Sequence, residues 1–181
     1  MSSSVFTETP RLDAPEVLRR LLALIDSVRE PQDLTIERVA QFTGFPMKPF
    51  SDKPANDTYV ISQLLTENWR YRYLWGPNGT THLPELGLAF YKRHSGQHPP
   101  KTEICQLDAA QFHEALLQMG YRHVGSTRRE SPAKQYERGV VEVEIGIVGE
   151  SDESLEKISH DCIKRVSIGF LVEDIGFGDM Q

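Results

Sequence analysis

Residues 69–75 read Trp69-Arg70-Tyr71-Arg72-Tyr73-Leu74-Trp75, and their strict alternation decides the fold class. Side chains on a strand point to opposite faces in turn. Trp69, Tyr71, Tyr73 and Trp75 therefore share one face, and Arg70, Arg72 and Leu74 share the other. Two uses are open to such a strand. Its aromatic face can be core, with the arginines on the wet side. It can also be a recognition platform, because Trp and Tyr offer much contact area at low entropic cost.

Working outward, the segments 58–65 and 86–93 are apolar and rich in β-formers, and they flank this strand on either side. Gly76-Pro77-Asn78-Gly79 supplies turn chemistry between the last two. Further strands are predicted over 121–127, 135–148 and 161–171. In the middle one, Val141, Val143, Ile145 and Ile147 alternate with Glu142, Glu144 and Gly146, one face for the core and one for water. Every strand link is short or hairpin-like, which predicts antiparallel order.

Three helices carry written start and stop signals. Asp13 caps the first, with Pro15 in the early turn and Leu18, Leu21, Leu22, Ile25 and Val28 at helical spacing. Thr35 caps a short second helix that ends at Gly44. Asp108 and Gln111 make a capping box for the third, which ends at Gly120. The predicted fold is α+β: antiparallel sheet with two to three helices packed on one face. Helix, Gly-aromatic pair and three strands occur twice, at Gly44-Phe45 and Gly120-Tyr121, which raises an αβββ internal duplication. The expected layout is a flexible N-terminal segment over 1–12, one domain over 13–171 with a possible seam at 93–101, and an acidic tail over 172–181.

At 181 residues the chain is long enough to bury a core, and its 39% hydrophobic and 25% charged residues are ordinary for a globular protein. No apolar run approaches the ~20 residues of a membrane helix, so no membrane partner is expected. Of the net charge of −6, five units sit in the C-terminal fifth, where from Glu150 onward eight acids face three bases. That balance allows a basic partner and makes nucleic acid an unlikely one. Without a leader the chain belongs to the cytoplasm; had a signal peptide been removed, it would belong to the periplasm or outside the cell.

Catalytic signatures are missing from the sequence. It holds no G-x-S-x-G, H-E-x-x-H or phosphate-loop motif, and it gives no cofactor. His160-Asp161-Cys162 has the residue types of a triad without the spacing that builds one. His94, His98, Cys105, His160 and Cys162 are zinc-ligand types, but the first two lie in a Gly/Pro loop whose spacing fixes no geometry, so no metal is assigned. Cys105 and Cys162 fit either two reduced thiols or one long-range disulfide. Glu142 and Glu144, with Glu137, are explained by a solvated strand face rather than by paired-carboxylate catalysis.

The function expected from these residues is a non-catalytic protein-binding domain of inhibitor, immunity or chaperone-like kind. Its contact residues would be Trp69, Arg70, Tyr71, Arg72, Tyr73 and Trp75, with Glu150, Asp152, Glu153 and Glu156 as an electrostatic guide toward a basic protein. The alternative is a small-molecule-binding or hydrolase-like protein with an aromatic-lined pocket near Trp75, His82 or His160. Weak nucleic-acid binding through Arg70, Arg72 and the basic loop 122–134 comes third.

Overall fold

A computed structural model describes residues 12–51, 57–96, 98–125, 133–151 and 154–172. The expected N-terminal segment falls almost entirely outside them, as does the tail beyond Val172. The fold is mixed α+β and dominated by one open sheet of eight antiparallel strands.

The helices begin where their caps demand. Asp13 accepts from the Glu16 amide at 2.8 Å and opens α1 (Ala14–Ser27). Thr35 accepts from the Arg38 amide and opens α2 (Ile36–Thr43), which closes on Gly44 at φ 79°. Arg20 of α1 donates to the Thr43 carbonyl at 2.8 Å, so one helix satisfies the end of the next. Both halves of the capping box form at the start of α3 (Ala109–Gln118). Three short elements had no clear sequence signal: the 3₁₀ turns Pro31–Asp33 and Lys101–Ile104, and α4 (Leu155–Ile158).

The strands are β1 (Lys48–Pro49), β2 (Tyr59–Leu64), β3 (Trp69–Pro77), β4 (Pro84–Lys92), β5 (Arg122–Gly125), β6 (Ala133–Arg138), β7 (Val141–Gly149) and β8 (Asp161–Phe170). They lie in the order β1-β2-β3-β4-β8-β7-β6-β5. Among the described residues each half of the chain thus supplies two α-helices and four strands, one strand more than the αβββ pattern predicted, and the two sets meet at β4 and β8. β4 and β8, which lie on either side of the seam expected at 93–101, pair in this one sheet. The single strand expected over 135–148 is instead a hairpin, because Gly139 takes φ 61° and turns the chain between β6 and β7.

Register sorts the side chains into two faces. Ile61, Tyr73, Leu88, Val166 and Ile145 form one cross-strand row, and all are buried. This apolar face carries the core, where it meets α1 and α3: the Tyr73 hydroxyl donates to the Val17 carbonyl at 3.2 Å, and Phe112 and Leu116 are fully buried. The neighbouring row, Ser62, Arg72, Ala89, Arg165 and Gly146, lies on the opposite face and reaches solvent at Ser62, Arg72, Ala89 and Arg165.

Candidate functional site

The aromatic face of β3 is core. Trp69, Tyr71 and Tyr73 are only 4%, 1% and 1% exposed, and Trp75 is half-buried with its indole N–H donating to the Leu34 carbonyl at 2.9 Å. Burying such a ring contributes on the order of 1.5–3 kcal/mol, so this face is committed to folding. As folded, Trp69, Tyr71 and Tyr73 offer no platform to a partner. Burial also pushes the Tyr71 hydroxyl up to about 12.

The arginine face is the accessible one. Arg72 is exposed and stacks over the Tyr91 ring at 5.1 Å, while Tyr91 shares a 2.7 Å hydrogen bond with Ser62. Leu74 beside it is 41% exposed. Among the described residues, neither Arg70 nor Arg72 has a carboxylate within ion-pair distance, and Arg70 Nε is buried without a hydrogen-bond partner. The acids on the far half of the same face are engaged. Glu137 pairs with Arg122 at 3.0 Å, Glu144 with Arg165 at 3.2 Å, and Glu142 accepts from Gln135. Gly146 makes room for that centre, since a Cβ there would fall 2.5 Å from the Arg165 side chain.

Of the expected acidic guide, one residue is tied internally and one is exposed. Glu150 is tied internally, accepting from Thr102 at 2.7 Å and bonding His160 at 2.7 Å. Asp152 and Glu153 lie outside the described residues, as do Arg128 and Arg129 of the basic loop; Glu156 is exposed on α4. Among the zinc-type residues, Cys105 and Cys162 form a disulfide that spans 57 positions. His160 packs against it, with Nδ1 3.7 Å from the Cys105 sulfur. The His160 ring bridges two carboxylates, Glu150 at Nδ1 and Asp108 at Nε2 (3.0 Å), and this raises its pKa above the ordinary 6.5. With Cys162 bonded to Cys105, His160-Asp161-Cys162 holds no thiol nucleophile.

A cleft opens where β4 and β8 part. Their pairing stops at Ala89 and Arg165, although β4 continues to Lys92 and β8 begins at Asp161. The Lys101–Ile104 turn packs beneath this gap. Trp69, Phe90, Ile104 and Val148 line about 390 Å³ of it, rimmed by Lys92, Lys101 and Lys164. A second hollow of about 370 Å³ shares Lys92 and Lys101 and adds His98 and Lys157. This aromatic-lined pocket sits at Trp69; at the other end of β3 a hollow of about 360 Å³ lies at the expected Trp75, between Leu34, Pro77 and Pro84, and another lies at His160. The sequence missed the cleft at Trp69 because a parting of strands distant in the chain has no local signature.

The chain matches no protein-family model, and no curated protein or solved structure is detectably similar to it. No helix among the described residues is long and apolar enough to cross a membrane.

Proposed function

We propose that the chain is a non-catalytic protein-binding domain that docks its partner on the open sheet face, through Arg70, Arg72, Leu74 and Tyr91. The observation that supports this is the pair of arginines that, among the described residues, stand without carboxylates beside an exposed leucine on the solvent side of β3. Charge of this kind favours a partner surface that presents carboxylates around an apolar side chain. The partner chemistry is thus acidic where it meets β3, in place of the basic protein expected from the C-terminal acids.

Capture with wild-type protein and with a folded Arg72→Glu, Leu74→Asp variant tests this. A stoichiometric protein lost only in the variant supports it; undiminished capture by the variant contradicts it. Co-purifying nucleic acid released by moderate salt would assign the arginines to phosphate instead.

The cleft favours a second reading, a site for a small anion with an apolar body. Its floor is apolar and its rim carries lysines that, among the described residues, pair with no carboxylate. A medium-chain carboxylate titrated against Trp69 fluorescence should saturate, and should bind more weakly to Lys101→Gln.

A further inference from the structure

We propose that reduction of the Cys105–Cys162 disulfide creates a four-ligand site for a zinc-class divalent cation, made by Cys105, Cys162, His160 and Glu150. This is independent of the open sheet face. Three of the four ligand atoms are already gathered. The Cys105 sulfur, a Glu150 carboxylate oxygen and a His160 ring nitrogen lie within 4.8 Å of one another, and the Cys162 sulfur is bonded to the first. Two thiolates, an imidazole and a carboxylate form a donor set that suits tetrahedral Zn²⁺.

The surroundings also have the form of a metal site's outer shell. Asp108 holds Nε2 of His160 at 3.0 Å, which fixes the ring and turns Nδ1 toward the sulfurs and Glu150. Carboxylates hold ligating histidines in the same manner. Thr102 holds the second Glu150 oxygen at 2.7 Å. The backbone is braced as well, with the Glu150 amide donating to the His160 carbonyl at 2.9 Å and Asp108 bridging to Cys162. The His160 side chain is 40% exposed at the mouth of a hollow beside α4, which gives an ion a way in.

The chemistry balances with a dithiol as reductant. It gives two electrons and two protons to the Cys105–Cys162 bond and becomes a disulfide itself. The cation then displaces the two thiol protons and any proton on the His160 Nδ1. Bonds of about 2.3 Å to zinc at tetrahedral angles place the sulfurs roughly 3.8 Å apart, within reach of a side-chain rotation. The cross-linked and metal-bound forms exclude each other, because each uses the same two sulfurs.

The test compares dithiol-reduced, anaerobically desalted protein with the oxidised form, using Co²⁺ as the spectroscopic probe and Zn²⁺ as competitor. The reduced protein should take one equivalent of Co²⁺ with thiolate charge-transfer and tetrahedral ligand-field bands, and Zn²⁺ should abolish them. The oxidised protein should show neither band. Asp108→Ser keeps the helix cap but removes the carboxylate from Nε2, and should weaken binding by about 10–100-fold. Failure of the reduced protein to bind Co²⁺ overturns the proposal, whether or not it stays folded. So does a His160→Gln variant with unchanged spectrum and affinity, since the thiols would then bind without the site.

Discussion

The Arg138 guanidinium donates to the main-chain carbonyl of Val28 at 2.9 Å, joining residues 110 positions apart. The same group reaches the Ile25 and Met119 carbonyls at 3.0 Å, pairs with Asp26 and lies over the Tyr121 ring at 4.4 Å. One cation on β6 thus satisfies carbonyls at the C-terminal ends of both α1 and α3, where helices leave acceptors unpaired and the dipole is negative. Arg138→Met should cost on the order of 3 kcal/mol in urea unfolding. Arg138→Lys should recover only part of that, because an ammonium has no planar fork to span two helices. Equal stability of all three proteins would refute this role.

Tyr73 separates core from platform. Tyr73→Phe loses the hydrogen bond to Val17 and should cost about 1 kcal/mol, whereas Tyr73→Ala opens a cavity beside Leu88 and Ile61 and should cost about 3–5 kcal/mol. A fully stable alanine variant would return the ring to the surface.

Opening the disulfide without metal frees a loop of 57 residues in the unfolded chain. In the chain-entropy treatment this lowers stability by about 4 kcal/mol. Chemical denaturation of Cys105→Ser, Cys162→Ser against the oxidised wild type measures it, and an unchanged midpoint would show that the bond adds nothing.

The oxidised protein should also lose stability as pH rises past neutrality. The Glu150 hydrogen bond, then that of Asp108, raises His160 above its ordinary 6.5. A raised folded pKa stabilises fully below 6.5, and the contribution disappears as pH climbs through the folded value. At the acid end, the His160 bond holds Glu150 below 4.5. Burial alone would raise Asp108, but the Gln111 amide and His160 outweigh it and hold it below 3.8. Those contributions are present above the ordinary values and fade as pH falls through the lowered ones. A melting temperature for His160→Gln that declines over the same alkaline window as wild type would contradict this linkage.

What the sequence made legible was local. The caps at Asp13, Thr35 and Asp108 and the alternation of β3 and β7 depend on neighbours a few residues away, and all of these form. Alternation marks two faces without saying which one is wet; the rows joining Tyr73 to Leu88 and Val166 decide that, and they come from registry between distant strands. Arg138 carried no signal, because its partners lie in α1 and α3. His160, Cys105 and Glu150 were legible as residue types, but their meeting depends on the β7–β8 pairing and the Lys101–Ile104 turn.

The central claim, docking on the open sheet face, is tested most directly by oxidative footprinting of Leu74 and Tyr91 in the captured complex. Protection of both, with Val172 and Leu155 still reactive as in the free chain, is the predicted result. Unchanged reactivity of Leu74 and Tyr91 in a stoichiometric complex would place the contact elsewhere and contradict the account.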